Sequence, residues 1–117
     1  MYPLKRNRRL RTTAALRELV SESTLSISDL LAPLFLIDGS NIKESVDSMP
    51  GVYRYSVDLA LKKAKKLYDM GIPGILLFAK IDQKLKDNSG ESALNEDGLM
   101  QKAIRQIKKN IPNLILC

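Results

Sequence analysis

The spacing of three short, continuous apolar runs constrains the fold more than any other feature of the sequence. Equivalent positions in these runs are Leu34, Ile75 and Leu114, which lie 41 and 39 residues apart. Apolar runs that are continuous rather than alternating are typical of strands covered on both faces, as in parallel sheets. This spacing predicts an α/β fold of β-loop-α-β-loop-α-β order, with a parallel sheet and right-handed crossovers.

The intervals between the runs each predict one amphipathic crossover helix. The first helix is expected from a Ser56 cap to about Met70, with Gly71 in the left-handed conformation behind it. The second is expected from about Asp97 to Asn110. The apolar positions expected to face the sheet are Val57, Ala60, Leu61, Ala64, Leu67 and Tyr68 in the first helix, and Met100, Ala103, Ile104, Ile107 and Ile111 in the second.

The N-terminal part predicts only short helical elements. Thr12 or Thr13 is expected to cap a short helix through about Glu22. Ser26 and Asp29 have the spacing of a capping box, with Asp in place of the usual Glu, and predict one more turn.

Two polar segments are predicted to connect the regular elements. Residues 40–55 are predicted to be a polar connection with a turn at Pro50-Gly51. Residues 80–97 are predicted to be a long loop, a feature that in compact domains is usually functional or mobile. Pro33 is expected to end any helix before the first strand, which is predicted over 34–37.

The positive charge is concentrated at the N-terminus. The net charge is +6, and residues 1–17 carry six basic side chains and no acidic one, whereas residues 18–117 carry 13 of each. We therefore divide the chain into a basic arm with a short helix, 1–24, and an α/β part, 25–117. Arms of this kind most often bind a partner surface or a polyanion.

Composition excludes several classes of protein. The chain is 44% hydrophobic and 27% charged, which is the usual mixture of soluble globular domains. The longest apolar run, 30–37, is far shorter than the roughly 20 residues of a transmembrane helix. No signal peptide is visible, and Cys117 alone cannot form an internal disulfide. The chain has no histidine, so Cys117 has no histidine to activate it as a nucleophile.

Six motifs occur in an order and at a spacing that match one known family. They are the arginine-rich segment Arg6-Asn7-Arg8-Arg9-Leu10-Arg11, the run from Pro33-Leu34-Phe35 to Asp38-Gly39, Ser48-Met49-Pro50-Gly51-Val52 with Arg54, Gly71-Ile72 before Leu77-Phe78, Lys86-Asp87 with Gly90, and Asp97-Gly98-Leu99 before Ala103-Ile104-Arg105. On these motifs the sequence resembles the delta-aminolevulinic acid dehydratases, or porphobilinogen synthases. It departs from them at Gly90-Glu91-Ser92-Ala93, where Gly-Ser-Glu-Ala is common, and at Lys80, where an apolar residue is usual.

The resemblance implies a (β/α)8 TIM barrel, which needs roughly 250 residues to close. The chain would supply the N-terminal arm, the first three strands and two crossover helices. The complete enzyme condenses two 5-aminolevulinate molecules to porphobilinogen with loss of water, in heme and tetrapyrrole biosynthesis. Its Schiff-base lysines and its zinc or magnesium ligands would lie beyond Cys117. We therefore expect no catalytic and no metal-binding residue in this segment, and no activity of the chain alone.

The resemblance also implies a role for the arm. Arg6, Arg8, Arg9 and Arg11 would contact a neighbouring subunit of a cytoplasmic homo-oligomer, usually an octamer. The alternative from another class is a non-catalytic basic interaction module on a βαβ scaffold, whose arginines would contact phosphates. Without interleaved aromatics or a recognised binding fold, we expect neither a nucleic-acid nor a membrane partner.

Lys80 leaves two interpretations open. Barrel enzymes place their chemistry at the carboxyl ends of the strands, where a desolvated lysine could form a Schiff base. Its neighbours Asp82, Lys84 and Lys86 favour instead a solvated loop lysine. We expect the second.

The acidic residues that precede the second helix leave a similar choice. Glu91, Glu96 and Asp97 could form a cation site. A solvated acidic loop with Asp97 near a helix N-terminus is the simpler interpretation.

Overall fold

The structure, a computed structural model, describes Leu4 and residues 7–117. Single 3-10 turns occur at Arg9–Arg11, Ile27–Asp29 and Gln83–Leu85. In chain order the helices and strands are α1 (Ala14–Leu19), β1 (Leu31–Ile37), β2 (Lys43–Ser45), β3 (Tyr53–Tyr55), α2 (Val57–Asp69), β4 (Gly74–Lys80), α3 (Glu91–Leu94), α4 (Leu99–Asn110) and β5 (Ile115–Leu116).

The described part of the chain forms one five-stranded sheet in the order β2-β3-β1-β4-β5. Strands β1 and β4 are parallel and paired over their full length, from Leu31 opposite Gly74 to Ile37 opposite Lys80. Strand β5 continues the parallel sheet beside β4. Strands β1, β4 and β5 correspond to the three apolar runs, and α2 and α4 connect them, so the predicted βαβαβ order is confirmed.

A β-hairpin occupies the segment that was predicted to be a polar connection. Strands β2 and β3 pair antiparallel, and β3 lies parallel to β1 at two register positions, Phe35 opposite Arg54 and Leu36 opposite Tyr55. The predicted turn at Pro50-Gly51 is confirmed, since Gly51 has a positive φ of 82°. The prediction of a connection without strands over 40–55 is wrong, because β3 is held by pairing to β1 and β2 by pairing to β3, and neither strand has an apolar run of its own.

Several predicted boundaries also differ from the structure. Strand β1 begins at Leu31, three residues before the predicted run, and includes Pro33. Proline is tolerated in a strand that lacks a neighbour on one side, and β3 pairs with β1 only beyond Pro33. Helix α1 ends at Leu19 rather than at Glu22. Helix α4 begins at Leu99, two residues after the predicted start.

The local signals at the N-terminal turns are confirmed. The Thr13 hydroxyl accepts a hydrogen bond from the backbone N–H of Leu16 at 3.2 Å, which caps α1. The Asp29 carboxylate accepts the backbone N–H of Ser26 at 2.8 Å, as a capping box requires.

Ser56 stands at the predicted start of α2 but does not cap it with its side chain. Its buried hydroxyl accepts the backbone N–H of Ile42 at 2.9 Å and lies 3.3 Å from the Ile42 carbonyl oxygen, to which it donates. The side chain therefore fastens the start of the hairpin to the start of α2. At the other end of the helix, Gly71 has the expected left-handed conformation, with φ of 94°.

Helices α2 and α4 cover one face of the sheet and form the core with it. Ala60, Ala64 and Ala103 are fully buried, and their small side chains allow close packing of the helices. Ile104, predicted to face the sheet, is instead 38% exposed. The buried hydrophobic cluster consists of Leu34, Leu36, Ala60, Ala64, Ile75, Leu77, Ala103, Ile107, Ile111 and Leu114.

Candidate functional site at the carboxyl ends of the strands

The sheet face away from α2 and α4 carries a second set of apolar side chains. Successive strand residues point to opposite faces, so Phe35 in β1 and Phe78 in β4 share the uncovered face. Their rings stack with centroids 5.3 Å apart and an interplanar angle of 21°. Leu31, Phe78 and Ile115 on this face are 53%, 44% and 54% exposed. No described residue covers these side chains as α2 and α4 cover the other face.

A row of paired residues connects this aromatic stack to the hairpin. Glu44 lies opposite Arg54, Arg54 lies opposite Phe35, and Phe35 lies opposite Phe78. Directly opposite residues on neighbouring strands point to the same face. The row therefore places one acidic and one basic side chain beside the stacked rings.

Lys80 extends this row into a three-residue ionic cluster. Oε1 of Glu44 accepts a hydrogen bond from a guanidinium nitrogen of Arg54 and one from Nζ of Lys80, the latter at 3.0 Å. The side chains of Lys80 and Glu44 are 51% and 38% exposed. The hydrogen bond from Lys80, and after it the one from Arg54, holds the pKa of Glu44 below its usual range.

The position of Lys80 differs from the loop position expected for it. It is the last residue of β4, and its ammonium is paired with a carboxylate. A lysine that forms a Schiff base is typically desolvated, whereas the side chain of Lys80 is half-exposed. The geometry gives Lys80 the contacts of an ion-pairing residue.

A cavity of about 620 Å³ lies beyond the carboxyl ends of β1 and β4. Asp38 follows β1 at its rim, Lys80 ends β4 there, and residues of the 81–99 segment close the other side. In barrel folds this end of the strands carries the active site. The charged residues of its lining are Asp38, Lys80, Asp82, Lys84, Asp87, Glu91, Asp97 and Lys102.

Two of the five carboxylates in this lining, Asp82 and Asp87, accept backbone N–H groups of the loop. Asp87 accepts the backbone N–H groups of Glu91 and Gly90, which together with the Ser89 hydroxyl hold its pKa below the usual range. Asp82 accepts the backbone N–H of Lys84 at 2.9 Å.

Asp97 precedes α4 and lies 3.6 Å from a guanidinium nitrogen of Arg105. Glu91 begins α3, so the structure places two of the three acidic residues singled out in the sequence at or near the start of a helix.

The described residues do not fit a zinc or magnesium site. Within Leu4 and 7–117, histidine, cysteine, aspartate and glutamate nowhere form a group of three or more that could hold a metal ion. Cys117 is exposed, and its backbone N–H donates to the carbonyl of Ile75 at the edge of β4. No step of chemistry is therefore assigned to a metal in this segment.

The arm lies outside the hydrophobic core. Among the described residues that precede Leu31, none is buried. Arg8, Arg11, Thr12 and Arg17 line an open cavity of about 440 Å³ whose described lining residues include no carboxylate. Arg9 is exposed as well. Arg6, the fourth of the predicted contact residues, lies outside the described residues.

Sequence reasoning missed Glu44 as a member of the site. In the sequence Arg54 stands out only as part of a family motif, and neither interpretation of Lys80, a Schiff-base lysine or a solvated loop lysine, includes an ion pair with Glu44. The alternation of Tyr53, Arg54 and Tyr55 is the one local signal of a strand there, and three residues are too few to recognise it by.

The residues that the structure describes include no helix long and apolar enough to cross a membrane.

Comparisons with known proteins agree along nearly the whole chain. A family model described as delta-aminolevulinic acid dehydratase matches residues 4–117. Delta-aminolevulinic acid dehydratases of Synechocystis sp. and Synechococcus elongatus are 45% and 42% identical over 116 residues, 99% of this chain. The matched region is 35% of the length of each, so the chain spans about a third of these relatives.

A solved structure shows the same likeness in three dimensions. The crystal structure of delta-aminolevulinic acid dehydratase (porphobilinogen synthase) from Toxoplasma gondii, in complex with the reaction product porphobilinogen, superposes with a TM-score of 0.88 at 36% identity. The match covers 98% of this chain and 32% of that one. The predicted fold class, an arm with the first part of a TIM barrel, is thereby confirmed. The boundary between arm and barrel at residues 24 and 25 stays a prediction.

Proposed function

Because the chain belongs to the delta-aminolevulinic acid dehydratase family, we propose that it is the N-terminal segment of a porphobilinogen synthase. The complete enzyme, a lyase, condenses two 5-aminolevulinate molecules to porphobilinogen with loss of water, in heme and tetrapyrrole biosynthesis. The observation that carries the proposal is the match of the family model to residues 4–117. The alternative, a non-catalytic basic interaction module, gains no support from the comparisons.

In this proposal the segment contributes scaffold and part of the barrel mouth. The helix-covered face of β1, β4 and β5 forms the outer layer of the barrel wall. The uncovered face, with Phe35 and Phe78, faces the barrel interior. The cavity beyond Asp38 and Lys80 forms part of the mouth, where barrel enzymes hold their substrates.

The segment supplies no catalytic residue in this proposal. Lys80 is paired with Glu44, and the lysines that form Schiff bases with substrate belong to the part of the enzyme outside this chain. The family is metal-dependent, and we assign zinc or magnesium to the complete enzyme, with ligands outside this segment. The choice between the two metals depends on those ligands.

The arm supplies subunit contacts in the same proposal. The arginines Arg6, Arg8, Arg9 and Arg11 would bind a neighbouring copy in a homo-oligomer, an octamer by family, in the cytoplasm. Support comes from Arg8 and Arg11, which are exposed beside a cavity without carboxylates, and from Leu10 and Leu19, whose apolar side chains are exposed as well.

A chimeric enzyme tests the proposed function directly. Residues 1–117 replace the matching part of the Synechocystis relative, and porphobilinogen formation from 5-aminolevulinate is measured. We expect the chimera to form porphobilinogen and the 117-residue chain alone to form none. A folded, soluble chimera without activity would contradict the proposal, and so would turnover by the isolated chain.

A second variant of the chimera tests the arm. Removal of residues 1–11 is expected to lower the oligomeric state measured by light scattering. An unchanged assembly would show that the arm is not a subunit contact, while leaving the activity assignment in place.

A further inference from the structure

The β2–β3 hairpin has few connections to the rest of the sheet. Strand β3 pairs with β1 at only two register positions, whereas β1 and β4 pair at seven. At the end of the hairpin that enters α2, Ser56 binds the backbone of Ile42. Few paired positions make an element prone to local opening. The uncovered side of the hairpin therefore needs a contact of its own if the hairpin is to stay on the sheet.

Within the ionic cluster, only one contact joins the hairpin to another part of the fold. Glu44 and Arg54 lie opposite each other in β2 and β3, so their ion pair stabilises the hairpin internally. Lys80 belongs to β4, which is separated from the hairpin by β1. Its Nζ reaches Oε1 of Glu44 at 3.0 Å, across 36 positions of sequence.

We propose that Lys80 and Glu44 form an ionic latch that holds the β2–β3 hairpin against the carboxyl end of the central strands. The latch crosses β1 on the uncovered face, above the end of the Phe35–Phe78 stack. Arg54 orients the Glu44 carboxylate by binding the same oxygen atom. The inference does not depend on the proposed enzymatic function, because every contact in it lies within this chain.

The half-exposed position of the latch sets its strength and its response to salt. Ion pairs at this exposure contribute modestly and are screened by added salt. Loss of the latch should therefore open the hairpin locally and leave the sheet formed by β1 and β4 intact.

Hydrogen exchange of the 117-residue chain, read by mass spectrometry of peptides, tests the latch. In Lys80→Met we expect amides of 43–55 to exchange about threefold faster at low salt, with 74–79 unchanged. The matched control is Lys65→Met, which removes an exposed lysine from α2 and should change neither peptide. At about 1 M salt the difference between wild type and Lys80→Met should shrink, because the Debye length falls to about 3 Å.

Two further variants separate the ionic contact from packing by the lysine stem. Lys80→Arg keeps the cation and should retain most of the protection. Glu44→Gln should speed exchange of 43–55, and adding Lys80→Met to it should cause little further increase.

Three results would overturn the latch. The first is equal exchange of 43–55 in wild type and Lys80→Met. The second is an equal rise in 43–55 and 74–79, which would indicate a global effect. The third is the absence of any protection of 43–55 in the wild-type chain.

Discussion

The two faces of the sheet are built from the same strands but reach very different degrees of burial. On the face covered by α2 and α4, Leu34, Leu36 and Ile75 are almost or entirely buried. On the other face, Phe78 of β4 and Ile115 of β5 are about half exposed. One layer of helices completes the first face within this chain. The second face carries apolar residues typical of a hydrophobic core, but no described element of the chain packs against them.

The largest expected change in unfolding free energy comes from a comparison of two neighbouring residues of β4 that point to opposite faces of the sheet. Ile75→Ala removes a fully buried side chain and should lower the free energy of unfolding by about 2–5 kcal/mol. Leu76→Ala, one residue along β4, removes a side chain that is already 36% exposed and should cost about 1 kcal/mol or less. Urea denaturation followed by circular dichroism measures both. Equal losses of unfolding free energy in the two variants would mean that the two faces of the sheet are packed equally well.

A smaller loss of stability is expected at the hydrogen bond that joins the start of α2 to the start of the hairpin. Ser56→Ala removes the hydroxyl bound to the backbone of Ile42 and leaves a partly buried N–H with one partner fewer. We expect a loss of about 1–3 kcal/mol in urea denaturation. Ser23→Ala, at an exposed position, serves as the control and should cost less. A Ser56→Ala variant as stable as wild type would show that the Ile42 contact contributes little.

The smallest effect concerns the uncovered side of the hairpin and depends on pH. The pKa of Glu44 is lowered in the folded state by Lys80 and then by Arg54, the two charged groups that face it from β4 and β3. A lowered folded-state pKa contributes stability above the unfolded pKa, and this contribution is lost as the pH falls through the folded value. Wild type should therefore exceed Glu44→Gln in stability at neutral pH. The difference should shrink as the pH falls below the ordinary pKa of a glutamate and disappear once the pH is below the folded-state value.

The stabilities of wild type and Glu44→Gln are compared at both neutral and acidic pH. Asp58 and Asp87 also have lowered pKa values, so both proteins lose stability on acidification. Only the difference between wild type and Glu44→Gln reports on Glu44. A difference that stays constant from pH 7 to pH 3 would contradict the role assigned to the carboxylate.

The elements with long apolar patterns were predictable from the sequence. Strands β1 and β4 contain continuous apolar runs, and helices α2 and α4 have apolar residues at helical spacing, so hydrophobic patterning alone identifies all four elements. The helix cap at Thr13 and the left-handed conformation of Gly71 were predictable as well, because each depends on local residue type. These signals lie within a few residues of the structure that they specify.

Contacts between distant segments were not predictable in this way. The hairpin depends on pairing with β1, and the Glu44–Lys80 contact joins residues 36 positions apart. Ser56 has the sequence signature of a helix cap, yet the neighbouring hairpin offers the backbone of Ile42 to its hydroxyl. Ile104 follows the buried Ala103 by one position, which turns it to the edge of the buried stripe of α4. In each of these examples, contact with residues distant in the sequence determines the observed structure.

Chemical labelling of the uncovered face tests the central claim, that this face is the interior of a closed barrel. Phe78→Cys, in a Cys117→Ser background, is exposed to a maleimide in the 117-residue chain and in the chimera with the Synechocystis relative. We expect rapid labelling at position 78 in the isolated chain and labelling slower by about tenfold or more in the chimera, with Lys65→Cys labelled equally in both. Equal labelling of position 78 in the two proteins would contradict this claim.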